Sequence, residues 1–358
     1  MSNSITVGFS NAGTSQHYVL ENQSFANQLG VSTVLASSSV TDNVSGGALS
    51  DPYYVPETEW SIPGGFVEAE FFNKFGSTDE AFFFRAEGWN KVKDVSIVAE
   101  GDALINMTVD NFVHADLDFS NVDNEVTLNI LDGKRGNYKT GDYNDKIRIS
   151  SATNDSGWSN KHVVDSGAGD DVIVVFKGDN SLIYSTIVNY TDGHLTTFDV
   201  RMGSGNDVFY SAVGFSSMDY VHGDDGNDII ASGGGNDKIF GDAGNDVLIG
   251  GEDTGQINEI AENEYELINN EYELINYGDI LSGGVGSDVF YWQPGDGFDY
   301  ITDFSESDVL IIDSEDFVET AVATVHTDSG DFTGLMISVN NIESLFLQDY
   351  FNDTDIFA

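Results

Sequence analysis

The sequence predicts an all-β protein: an N-terminal β domain running into a parallel β-roll, closed by a C-terminal β cap. Three observations carry that expectation. Gly223–Ile249 reads GDDGNDIIA, SGGGNDKIF and GDAGNDVLI, three nine-residue units laid end to end. Upstream, Val95–Ile97–Ala99 and Val126–Leu128–Ile130 place apolar residues at every second position, the period of a strand with one buried face. Downstream, DFSESDVLIID (Asp303–Asp313) offers an aliphatic strand that can cover the last turn of a stack, whose open edge would otherwise pair with other chains.

Each nonamer carries Gly at its fourth place (Gly226, Gly235, Gly244), Asp at its sixth (Asp228, Asp237, Asp246) and an aliphatic residue at its eighth (Ile230, Ile239, Leu248). Glycine permits a tight turn with positive φ and close backbone approach. Aspartate brings a hard oxygen, and exposed turn carbonyls bring more, which suits a cation wanting six to eight oxygen ligands. The eighth side chain points inward from a short strand. A nine-residue period of this composition belongs to calcium-binding parallel β-helices. Stacking puts carboxylates from successive coils on one edge, where they repel until a divalent ion sits between them.

These nonamers resemble the RTX (repeats-in-toxin) family of secreted calcium-binding proteins. The resemblance implies several Ca2+ ions held between neighbouring turns by the sixth-place Asp and by main-chain oxygens of the first, third and fifth residues. Carried onto this chain, the ligands are Gly223, Asp225, Asn227 and Asp228; then Ser232, Gly234, Asn236 and Asp237; then Gly241, Ala243, Asn245 and Asp246. It also implies export by a type I secretion machinery that reads an uncleaved C-terminal signal.

Taken in order, residues 1–130 form the N-terminal β-rich domain. TVGFS, VSTVLASSSV, FVEAEFFNKF, EAFFFRAEGW, DVSIVAE, LINMTVDNF and EVTLNIL are its strand candidates. Aromatics cluster there (Phe66, Phe71, Phe72, Phe75, Phe82, Phe83, Phe84, Trp89), as the core of a sandwich or of a β-helix cap, with Trp89 the candidate for stacking on a sugar ring. Residues 131–220 hold degenerate repeats. TGDYNDKIR keeps Asp145 but has Tyr143 at the fourth place, which counts against an ion there, whereas SGAGDDVIV (Asp171) and MGSGNDVFY (Asp207) are good units. Between them Asp192-Gly193 marks a hairpin turn. Residues 221–313 form the roll. Its fourth unit opens at Gly250–Glu252, is broken by an insertion at 253–277 and resumes at GDILS with Asp279. The insertion repeats NEYELIN without change, and its composition predicts a short amphipathic helix or helical hairpin. GGVGSDVFY follows, with Gly283, Val285 and Asp288, and then PGDGFDYIT with Asp299. Residues 314–358 form the cap and an acidic tail similar to the C-terminal signals of the family.

Composition narrows the function. The 358 residues are 40% hydrophobic and 12% aromatic, enough for a sizeable core. With 61 Asp+Glu against 13 Lys+Arg the formal charge is −48, which disfavours nucleic acid and anionic membranes as partners and favours bound calcium as counterweight. No Cys is present, so metal rather than disulfide supplies any staple. The start, MSNSITVGFS, has no basic and apolar leader pattern, and no apolar run approaches a membrane span. No HExxH, GxSxG or GxxxxGK[ST] occurs, Cys nucleophiles are impossible, and the six His share no ligand spacing, so no catalytic residue is assigned. The expectation is a secreted, calcium-folded protein with a structural or adhesive role at the cell surface or in the matrix, its candidate partners a second copy or a surface polysaccharide. The alternative is a polysaccharide lyase, hydrolase or carbohydrate-binding module carried on the roll.

Overall fold

The computed structural model describes residues 4–352 apart from 12–13, 23–33, 39–57, 63–64, 74–79, 88–93, 102–104, 111, 152–159, 178–195, 212–215, 253–255, 264–265, 277, 315–317, 328 and 341. Side chains are described from Val95 onward, outside the strands of the 253–277 insertion and some positions bordering these gaps. Every regular element among the described residues is a strand. The chain divides into two compact units, Met1–Val188 and Asn189–Ala358.

The first unit begins with antiparallel pairing. Ser4–Asn11 pairs with Thr14–Asn22 and with Asp94–Gly101, and Thr58–Ile62, Gly65–Asn73 and Glu80–Glu87 form a meander. Glu80–Glu87 then runs parallel to Ile105–Asp110, and the described strands stacked after it in this unit pair in parallel with one another. One sheet stacks Asp94–Gly101, His114–Val122, Arg135–Lys139 and Asn160–Asp165. The other stacks Ile105–Asp110, Val126–Gly133, Lys146–Ser151 and Val172–Lys177. Successive strands alternate between the two sheets, which makes a coil. Its core is the inward half of each alternation: Ile97, Met107, Leu117, Leu128, Ile147 and Ile173 are fully buried.

The coil thus starts at Asp94, ahead of the boundary at 131 that nonamer spacing suggested. Its early rungs lack the Gly–Asp turn and are held by apolar alternation alone, which nonamer spacing does not register. Trp89 and the Asp192-Gly193 turn lie outside the described residues, as do the side chains of the Phe66–Phe84 cluster.

In the second unit the roll strands after Thr196–Arg201 shrink to three or four residues, and the same alternation between two sheets holds. Thr196–Arg201, Tyr220–His222, Lys238–Phe240, Ile280–Ser282 and Asp299–Ile301 form one parallel stack. Val208–Ser211, Ile229–Ala231, Val247–Ile249, Val289–Trp292 and Val309–Ile312 form the other. A full turn therefore consumes two nonamers, and Val221 stacks on Ile239 as Ile230 stacks on Leu248. The eighth-place residues Ile230, Ile239 and Leu248 are 0% exposed, so each short strand contributes one core side chain, worth about 1.5–3 kcal/mol.

Where the insertion was expected to be helical, it is a β-hairpin. Gln256–Asn263 pairs antiparallel with Glu266–Asn276, and the latter lies parallel to Val318–Thr327, with Tyr272 opposite Val325. An isolated helix of this length is marginal in water. Strand pairing on both sides of Glu266–Asn276 satisfies its backbone instead, and Tyr and Ile suit a strand as well as a helix.

The tail folds onto the roll. Val318–Thr327, Gly330–Val339 and Ile342–Gln348 form an antiparallel meander, and Ile342–Gln348 adds in parallel to Asp299–Ile301 as one more rung. Phe298, Tyr300, Ala323, Val325, Met336 and Phe346 bury one another at this junction.

Candidate metal centre

Each sixth-place Asp directly precedes, or in the case of Asp299 opens, a short strand whose inner side chain is locked in the core, so rung stacking fixes where its carboxylate lies. On one edge, Asp228 Oδ1 accepts the Asp207 N–H at 2.8 Å and Asp246 Oδ1 accepts that of Asp228 at 2.8 Å. Asp288 Oδ1 accepts from Asp246 and Asp308 Oδ1 from Asp288, both at 2.9 Å. On the opposite edge Asp219 Oδ1 accepts from Phe198, Asp237 from Asp219, Asp279 from Asp237 and Asp299 from Asp279, at 2.8–3.1 Å. The result is two ladders of buried carboxylates, each spending one oxygen on the backbone of the rung before it.

The second oxygens point into gaps kept open by glycine. Asp228 Oδ2 and Asp246 Oδ2 are buried with no hydrogen-bond partner. A Cβ at Gly223 would overlap Asp228 Oδ2 and lie 2.6 Å from the Gly241 carbonyl oxygen. At Gly241 it would overlap Asp246 Oδ2 and lie 2.7 Å from the Gly283 carbonyl oxygen. The same gap recurs between Gly283 and Asp288 Oδ2, and between Gly250 and Asp279 Oδ2. The latter brings Gly250, before the insertion, against Asp279, after it.

Buried carboxylates in such an array resist ionisation. Burial foremost, then the charges of Asp207, Asp224 and Asp242, push Asp228 up to about 7. Burial, then Asp228, Asp288 and Asp242, push Asp246 up to about 7. Asp288 is raised by burial and by Asp308 and Asp303. A hard divalent cation beside these oxygens reverses that penalty. Convergent carboxylate and carbonyl oxygens with no nitrogen or sulfur are the donor set of Ca2+.

The other expected ligands sort by place in the turn. Third-place Asp225, Ala243 and Val285 form bridges from rung to rung, with the Ala243 and Val285 carbonyls accepting from Gly226 and Gly244 at 2.7 and 2.8 Å. A carbonyl has a second lone pair, which remains suited to an ion. Fifth-place Asn227 and Asn245 use their side chains as rungs. Asn227 Oδ1 accepts the Asn245 N–H and Asn245 Oδ1 accepts the Ser287 N–H, both at 2.8 Å. Ser232 Oγ donates to the Gly250 carbonyl at 2.9 Å, and Gly234 pairs with Ser216 beside Asn236. In the first unit Asp171 Oδ1 accepts from Asp145. Asp145 itself differs from Asp228 because its Oδ2 accepts the Gly141 N–H at 3.2 Å, so this Tyr143-containing turn is closed by the chain's own donors.

Nonamer reading missed Asp219, Asp308 and Asp303. Asp219 and Asp308 extend the ladders from flanks without the fourth-place glycine, Ser217 and Glu306 standing there, and Asp-Tyr-Val and Asp-Val-Leu are the signals that mark them. Asp303 accepts from Gly283 and Gly284 at 2.9 and 2.8 Å and so closes the end of one edge.

Residues 219–257, from the ladder residue Asp219 through the start of the insertion, match the family of RTX calcium-binding nonapeptide repeats, in four copies. This stretch carries RTX calcium-binding repeats. RTX repeats bind several Ca2+ ions, and here the residues present fit them: unpartnered buried oxygens at Asp228 and Asp246 face glycine-lined gaps. RTX repeats are typical of secreted proteins. Among curated proteins none matches the chain. Among the described residues no helix is long and apolar enough to cross a membrane.

Proposed function

We propose that this RTX protein is exported through a type I system and uses calcium as a folding switch, serving a structural or adhesive role at the cell surface or in the extracellular matrix. The observation that carries the switch is the pair of carboxylate ladders, whose buried charges oppose closure of the roll until cations arrive. Binding free energy at such sites is folding free energy. The calcium ligands are the Asp228, Asp237, Asp246, Asp279, Asp288 and Asp299 carboxylates, with first-, third- and fifth-place carbonyls of the facing turns. Gln256–Asn263 pairs, among the described residues, with Glu266–Asn276 alone, which supports self-association through that outer strand.

The test is light scattering of chelated protein while calcium is added back at the roughly millimolar level of extracellular sites. A cooperative fall in hydrodynamic radius at constant mass supports the folding switch. A rise in mass with calcium supports assembly as well. Unchanged radius and mass overturn the proposal.

A further inference from the structure

The calcium ladders leave three side chains unused that meet beside them. His222 ends the strand Tyr220–His222, and Asp224 and Asp242 occupy the second place of GDDGND and GDAGND. A ligand atom from each lies within 4.8 Å of the other two. His222 Nδ1 lies 2.8 Å from Asp242 Oδ2, and the imidazole stacks on Phe240 with centroids 4.5 Å apart and planes at 11°. Arg201 Nη1 donates to Asp224 Oδ1 at 3.1 Å, leaving that carboxylate a second oxygen to offer.

The placement of the two aspartates is unusual within this fold. The second place of the turn requires left-handed backbone, and Gly fills it at Gly167, Gly203, Gly233, Gly251, Gly284 and Gly295. Asp takes it at Asp224 (φ 63°) and Asp242 (φ 67°), on two consecutive rungs of one edge, the edge His222 adjoins. A side chain has been placed where the turn favours none, twice, next to the His222 imidazole.

We propose that His222, Asp224 and Asp242 form a site for a divalent transition-metal ion of the zinc and cobalt class, separate from the calcium gaps. One imidazole nitrogen with two carboxylate oxygens is a borderline-soft donor set that suits Zn2+ or Co2+, whereas calcium takes oxygen ligands. Three protein ligands leave a fourth position for water or a further donor. Metal–ligand distances of about 2.0–2.2 Å set the donors roughly 3.4 Å from one another, so the 2.8 Å His222–Asp242 pair opens slightly and the wider spacings close, which side-chain rotation supplies at this half-buried surface. Phe240 holds the ring plane and Arg201 orients Asp224, the outer-shell support that such sites use. The bound ion joins two rungs of the roll outside its calcium core.

The experiment is a Co2+ titration of calcium-saturated full-length protein, read by visible absorption, with bound calcium counted in parallel and Zn2+ added as competitor. The expected result is one equivalent of Co2+ taken up without release of calcium and displaced by Zn2+. His222→Ala should weaken that uptake at least about tenfold. The double variant Asp224→Gly/Asp242→Gly should abolish it while keeping the calcium-induced folding transition, since glycine is what the other turns carry. Absence of Co2+ uptake by the wild type overturns the proposal. So does uptake that matches calcium release, or uptake unchanged in both variants.

Discussion

A single residue decides whether a turn of this roll can close. Gly244 has φ 151°, and a Cβ there would overlap the carbonyl oxygen of Gly226 on the rung below. Gly244→Ala is expected to cost about 3 kcal/mol or more, seen as a higher calcium midpoint in a circular-dichroism titration. Charge acts at the same scale. The folded roll holds Asp228 and Asp246 near 7, against about 3.9 for aspartate in an unfolded chain. Without calcium the folded state therefore binds protons more tightly than the unfolded state. The chelated roll gains stability as pH falls from 7 towards 4 and has lost that gain above 7. Calcium requires the ionised carboxylates, so its affinity moves the opposite way. Lowering pH from 7 to 6 should weaken binding by about fivefold for each carboxylate held near 7 that must ionise, measured as the shift of the calcium midpoint. Asp237→Ala should remove one rung of the second ladder, weakening calcium binding and its cooperativity; unchanged values would overturn the shared-site arrangement.

At the scale of elements, the three-residue strands of the roll have too little surface to stand alone and depend on what lies at their ends. The C-terminal meander covers Tyr300 and Phe298 with Val325, Met336 and Phe346. Truncation after Asp313 exposes that apolar end. The truncated protein should bind a hydrophobic dye even with calcium saturating, and Phe346→Ala in the full chain should cost about 3–5 kcal/mol in chemical denaturation. The insertion shows how far an element can be misread from its own residues. NEYELIN twice over carries apolar side chains at a period of seven, which a helix accommodates, yet the segment pairs as a strand with Gln256–Asn263 and Val318–Thr327. Helix propensity is a weak prior, and pairing with chain some fifty residues away outweighs it.

For the whole molecule the governing quantity is a formal charge of −48 on 358 residues. Much of that charge is spread over a surface with few cations, some of them in ion pairs such as Lys139–Asp165 and Arg201–Asp224. Two ladders of it are buried. Calcium neutralises the buried part, so it should fold the roll where magnesium at equal concentration does not, because Mg2+ demands octahedral geometry at shorter distances and dehydrates reluctantly. Far-UV circular dichroism with each ion in turn checks this. Equal response to both would place the effect in general screening rather than in the glycine-lined gaps.

The sequence by itself determined the roll. Gly at the fourth place, Asp at the sixth and an aliphatic at the eighth are local requirements of one turn, so they can be read wherever the turn is repeated, even across the split between Gly250 and Asp279. The alternation in Val95–Ala99 and Val126–Ile130 likewise revealed strands, because a strand's buried face is written in its own residues. Tertiary structure decided what depends on distant chain. It set the two-nonamer pitch that aligns Asp228 with Asp246 rather than with Asp237, and the start of the coil at Asp94. It also brought Asp219 and Asp308 into the ladders and turned the insertion into a hairpin. Each of these follows from which rung lies above which, and stacking is a property of the folded coil that no single nonamer contains.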